Sequence, residues 1–172
     1  MKILITGGAG TLGSNIVKRF LAEDIDFVIV DNFETGSYEN LNSTPKSKIV
    51  EGSILDEKLM RSVFETHAPS HIIHSAASYK DPDDFEKDAL VNINGSILLA
   101  KLASEFEVKQ LINFQTALCY GKPSNIPIPV DSICKPFTSY GTSKYFGEYY
   151  LLNSPLNVVS LRLANICSEN LA

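Results

Sequence analysis

Tyr140 and Lys144 stand four positions apart in the run Tyr140-Gly141-Thr142-Ser143-Lys144, and that spacing can do proton chemistry. Residues four apart share a helix face, so a phenol and an ammonium placed this way converge on one spot. A tyrosine with an ordinary pKa of ~10 is a poor base near neutrality. A neighbouring ammonium and a positively charged ring bound beside it both favour the phenolate and move it toward the range where general-base catalysis is efficient. Thr116 adds a hydroxyl that can hold a reacting oxygen and relay its proton. Taken alone, the pair is more simply read as a solvated helix face, and Thr116 as readily as a strand-end threonine.

A second constellation lies at the start of the chain. Thr6-Gly7-Gly8-Ala9-Gly10-Thr11-Leu12-Gly13 follows an apolar run and opens an amphipathic one. A side chain at Gly7 would obstruct the tight turn, one at Gly10 would keep a pyrophosphate off the backbone, and one at Gly13 would pry the helix from the sheet. The helix N-terminus then offers unpaired N–H groups and a positive dipole end to phosphates. Asp31 follows Gly13 by 18 positions, where an acidic residue meets the adenosine ribose. A carboxylate there accepts from ribose hydroxyls and repels a 2′-phosphate, and no Arg stands beside it. The pattern therefore favours NAD over NADP.

The elements that must position these residues alternate. Ile3–Thr6, Phe27–Val30, Lys48–Val50, His71–His74, Gln110–Phe114 and Asn157–Leu161 read as short strands rich in Ile and Val, suited to a parallel sheet covered on both faces. Leu12–Ala22, Asp56–Thr66, Asp83–Glu105 and Thr138–Leu152 read as helices, with Asp56 and Asp83 as expected N-caps. Such alternation implies right-handed crossovers and an α/β fold of the Rossmann type, a doubly wound parallel sheet with helices on both faces. The Tyr-Lys helix follows the fifth strand by one loop, which puts it beside the carboxyl ends where ligands bind. That loop, Gly121–Pro136, carries four prolines and reads as stiff.

Composition narrows the partners. A net charge of −5 with no cluster of Lys and Arg argues against nucleic acid and anionic membranes. No apolar run approaches the roughly 18 residues of a membrane span, and no signal-peptide core opens the chain, so the expected location is cytoplasmic. Cys119, Cys134 and Cys167 match no CxxC pattern and read as free thiols. His67, His71 and His74 form no ligand cluster, and no metal is expected.

Together these segments resemble the extended short-chain dehydrogenase/reductase family, in its NAD-dependent nucleotide-sugar epimerase and dehydratase branch, which includes UDP-glucose 4-epimerase-like enzymes. The matching runs are TGGAGTLG at 6–13, DN at 31–32, HSAA at 74–77, VNINGS at 91–96, TALCYG at 116–121, YGTSK at 140–144 and LRLAN at 161–165, and they span nearly the whole chain. The resemblance implies that Gly7, Gly10, Thr11, Leu12 and Gly13 hold the pyrophosphate, and Asp31 and Asn32 the ribose. It implies adenine contacts at Ile54 and Asp56, and a cofactor-lining loop at Ala76 and Ala77. Thr116, Tyr140 and Lys144 match a Ser/Thr–Tyr–Lys triad, with Tyr140 and Lys144 also meeting the cofactor and Thr116 and Asn165 the substrate.

Departures separate the reactions within that branch. Its dehydratases carry an Asp-Glu pair after the active-site threonine, and decarboxylating relatives carry the Glu. Here the positions are Ala117 and Leu118, which exchange no proton. The remaining pattern resembles the epimerases, with inversion at C4 of a UDP-sugar through a transient 4-keto sugar. Two other readings stand beside it, a nucleotide-sugar oxidoreductase (4-keto reductase or dehydrogenase) and a catalytically silent NAD-binding protein. The resemblance further implies residues 1–172 as the NAD-binding domain, a substrate domain beyond residue 172, and a homodimer formed through the long helices.

Overall fold

A computed structural model describes residues 1–166, so Cys167 lies outside the described residues. Six parallel strands form one sheet: β1 (Lys2–Thr6), β2 (Asp26–Asp31), β3 (Ile49–Glu51), β4 (His71–His74), β5 (Gln110–Thr116) and β6 (Val158–Leu163), in the order β3-β2-β1-β4-β5-β6. The order reverses between β1 and β4, and the crevice at such a reversal is where this architecture binds ligands. The glycine turn leaves β1 and the segment from Ser75 leaves β4, so both rims of that crevice are chain the sequence had singled out.

Alternation along the strands divides the core in two. Leu4, Val28, Val30, Ile72 and Leu111 face one side, packing on Met60, Val63 and Phe64 of α2 (Glu57–His67), on Leu99, Leu102 and Ala103 of α4 (Gly95–Glu105), and on Leu151 of α5 (Ser139–Leu152). Ile3, Ile5, Phe27, Ile29 and Ile73 face the other, against Val17 of α1 (Thr11–Ala22). Because side chains of a strand point alternately to opposite faces, an apolar run of four is enough to feed both cores. This is the expected doubly wound sheet.

Three local features differ from expectation. β5 runs on to Thr116, because β6 pairs with it residue by residue as far as Thr116↔Leu163. The long helix expected from Asp83 starts at Phe85, as the short α3 (Phe85–Asp88). Its N-cap is Asp84, whose carboxylate accepts from Lys87 N at 3.0 Å, while Asp83 is held one step earlier by Asp81. Between α3 and α4 the backbone widens into a π-helical segment, Ala89–Asn94. That widening carries Asn92 inward, where its side chain accepts from Ser78 N and donates to Ser78 O and Ser143 Oγ, each at 2.9 Å. A single buried carboxamide thereby joins the β4 rim to α5.

Candidate active site

The crevice opens into a cavity of about 830 Å³ at the carboxyl ends of the strands. Gly7 has φ +72, and a Cβ there would stand 2.5 Å from Ala76 N, a backbone atom with nowhere to move. A Cβ on Gly13 would meet Gly7 O at 2.2 Å, so only glycine lets α1 sit this close to the turn. Gly10 differs: a Cβ there would have only Gly7 O at 3.5 Å nearby. That space is open on the cavity side, as the passage of a phosphate past bare backbone requires. Thr11, Leu12 and Gly13 line the cavity at the start of α1.

Asp31 ends β2 with its carboxylate already oriented. Oδ2 accepts from Ala9 N and Oδ1 from Phe33 N, both at 2.8 Å. Burial pushes its pKa above the usual carboxylate value, opposed by the two N–H donors. Asn32, Ile54, Ala76 and Ala77 also line the cavity. Asp56 does not. Its carboxylate accepts from Leu59 N at 3.0 Å and caps α2, so the adenine contact expected of it is corrected: the cavity wall at this edge is Gly52, Ser53 and Ile54. A side chain committed to a helix start points along that helix and not back into the crevice. The Gly52-Ser53 step ahead of Ile54 was the available signal for Ser53.

Across the reversal, Thr116, Tyr140, Lys144 and Asn165 line the same cavity, as do Ala117 and Leu118. Thr116 Oγ1 accepts from Leu118 N at 3.2 Å, which leaves its hydroxyl proton to donate elsewhere. Thr138 caps α5 through Gly141 N at 3.0 Å, fixing the turn that carries Tyr140. Lys144 is 5% exposed. Burial lowers its pKa to about 8, while Glu148 one turn later opposes the fall.

Burial, then the nearby Tyr79 and Asp88, push Tyr140 up to about 12, so within the chain itself Lys144 does not bring it into the working range. A further positive charge in the cavity is needed for that. The rim holds groups that spacing did not reveal, among them Tyr79, whose ring lies 6.3 Å from that of Tyr140, and Glu34 and Lys87, which form an ion pair between the segments after β2 and β4. Among the described residues, no three His, Cys, Asp or Glu side chains gather as a metal site.

One crevice therefore joins open space over Gly10, an oriented carboxylate and a hydroxyl–phenol–amine set. The sequence profile of the NAD dependent epimerase/dehydratase family matches residues 3–171. The chain belongs to that family. Among curated relatives of this family, a putative UDP-glucose 4-epimerase of Methanocaldococcus jannaschii is 32% identical over 87% of the chain and 49% of its own length. The UDP-glucose 4-epimerase of Mycolicibacterium smegmatis is 33% identical over 99% and 56%. Among solved structures, the Bordetella bronchiseptica enzyme WbmG in complex with NAD is 53% identical, with a TM-score of 0.92 over 96% of this chain and 53% of that one. The chain spans about half the length of the relatives it matches.

Proposed function

We propose that this chain is the NAD-binding part of a nucleotide-sugar epimerase that inverts C4 of a UDP-sugar through a transient 4-keto sugar. The observation that carries the reading is the lining of one cavity by Gly10, Asp31, Thr116, Tyr140 and Lys144, with Ala117 and Leu118 where elimination chemistry would need carboxyl groups. WbmG was also crystallised with NAD and UDP, and the two relatives above carry the name UDP-glucose 4-epimerase, which supports NAD here and a UDP-sugar as substrate.

The residues present fit NAD. The open space beside Gly10 admits the pyrophosphate, the start of α1 offers N–H donors, and Asp31 holds the adenosine ribose. When bound, NAD supplies the acceptor for the C4 hydrogen and gives it back. Tyr140 takes the proton of the 4-hydroxyl and later returns it, and Thr116 donates to the same oxygen. Lys144 contributes the positive charge that favours the phenolate, within a pocket dry enough for that charge to count. Ala117 and Leu118 present no acid or base, so the keto sugar loses no water before it turns over. A substrate-gripping domain beyond residue 172 is part of this reading, supported by relatives twice as long. So is a homodimer, through the exposed Ile97 of α4 and Phe146, Tyr149 and Tyr150 of α5.

The test is turnover by the complete protein with UDP-glucose and other UDP-sugars, followed by NMR. A C4 epimer formed without net NADH is expected, and Tyr140→Phe should lower kcat about 10³-fold while NAD stays bound. Stoichiometric NADH change would mean an oxidoreductase instead.

A further inference from the structure

We propose that Gln115 is a positioning residue, whose carboxamide sets the distance between the Thr116 hydroxyl and the Tyr140–Lys144 face of α5. The inference rests on the reading of the site given above.

β5 alternates, with Leu111, Asn113 and Gln115 buried on one face. An apolar side chain would satisfy that face, as Leu111 does. Gln115 instead buries an amide at 2% exposure and uses both of its ends. Nε2 donates to Lys144 O at 2.8 Å, and Oε1 accepts from Thr116 N at 2.8 Å. β4 stops pairing at His74↔Asn113, so the last residues of β5 have a strand neighbour on the β6 side only. The Thr116 N–H takes its acceptor from the side chain of the preceding residue.

The bridge fixes two separate motions. Thr116 cannot rotate about the strand end without leaving a buried N–H unpaired, which costs about 1–3 kcal/mol. Nor can α5 slide along the sheet, because one residue of slip is about 1.5 Å and would break a bond to a backbone carbonyl. Reacting groups must be held to a fraction of an ångström for proton transfer to be efficient, and misplacement of about 1 Å can cost 10²-fold. The bond meets α5 at Lys144 itself, one turn after Tyr140.

The test uses Gln115→Met and Gln115→Glu in the complete, NAD-loaded protein, with UDP-glucose. Methionine keeps the bulk and removes both hydrogen bonds. Its kcat should fall at least 30-fold, with KM within about threefold of the parent. Glutamate discriminates positioning from mere stability. As a neutral acid it both donates and accepts, and as a carboxylate it only accepts. The Glu variant should approach the parent's kcat at low pH and lose it as its carboxyl ionises, a limb absent from the parent and from the Met variant. A Met variant within twofold of the parent, or a Glu variant whose pH profile follows the parent's, overturns the proposal. If the Met variant does not fold, the Glu profile decides.

Should the complete protein turn over no UDP-glucose, the functional reading fails for that sugar while Gln115 is still tested. Amide hydrogen exchange needs no sugar. The Thr116 N–H, its acceptor gone, should exchange at least tenfold faster in Gln115→Met, and the α5 amides around Lys144 should do so in Gln115→Glu at a pH where its carboxyl is ionised. Unchanged exchange in the variant that folds overturns the proposal.

Discussion

Asp31 accepts the backbone N–H of Ala9 at 2.8 Å, so the carboxylate at the end of β2 braces the glycine turn that leaves β1. Its other oxygen accepts from Phe33 N, and no N–H donor of its own is tolerated on either side. Asp31→Asn must turn an NH₂ group toward one of those donors, and it removes the charge that repels a 2′-phosphate. Calorimetry should show NAD affinity falling about 10- to 100-fold, the size of one or two charge-assisted hydrogen bonds, with NADP weakened less. Equal loss for both nucleotides would contradict the ribose role given to Asp31.

Asp56 caps α2, whereas Ser53 lines the cavity beside Ile54. Because the Asp56 carboxylate caps α2, Asp56→Ala should lower unfolding stability by about 1 kcal/mol and leave NAD affinity within twofold. Ser53 lines the cavity, so Ser53→Leu should do the reverse, weakening NAD by crowding the pocket with little change in the urea midpoint. A large NAD defect in Asp56→Ala would instead place an adenine contact at Asp56.

The legible and illegible parts differ for a physical reason. The strands, the helices between them and the parallel sheet they form follow from local signals: short runs rich in Ile and Val, amphipathic stretches between them, and glycines where a Cβ has no room. The same signals pointed to Thr116, Tyr140 and Asp31, which line one cavity from its two sides. What escaped depends on through-space partners. Asn92 and Gln115 look like ordinary polar residues, and only the approach of α5 gives Asn92 its Ser143 contact and Gln115 its Lys144 contact. Asp83 and Asp84 are equivalent as caps until the loop geometry commits Asp83 to Asp81. Four-residue spacing places Tyr140 near Lys144 and says nothing of burial, which dominates the phenol's pKa.

Lys144 sets an alkaline limit. Burial brings its pKa down to about 8, so above that pH the ammonium loses its proton and no longer favours the Tyr140 phenolate. In the complete protein kcat/KM should fall as pH rises beyond about 8, since that ratio reports groups before the sugar binds. Lys144→Arg keeps its charge at any accessible pH, and its profile, however low the rate, should lack this limb. A limb that persists in the Arg variant would belong to another group.

His74 ties stability to acid. The imidazole is fully enclosed between Thr6 Oγ1 at 2.7 Å and Ser96 Oγ at 3.3 Å, and burial, with Lys144 nearby, drives its pKa to about 3. In the unfolded chain it titrates near its ordinary value of about 6.5. Below that pH the unfolded state takes up a proton that the folded state refuses, so the stability is complete above about 6.5 and is lost as pH falls toward 3. The slope approaches 1.4 kcal/mol per pH unit at its steepest, which makes roughly 2–3 kcal/mol between about pH 6.5 and 4.5. His67, also lowered by burial, acts in the same direction. His74→Gln can still meet both hydroxyls and has no proton to gain, so its urea midpoint should fall much less over that interval. Two curves falling in parallel would place the acid sensitivity elsewhere in the fold.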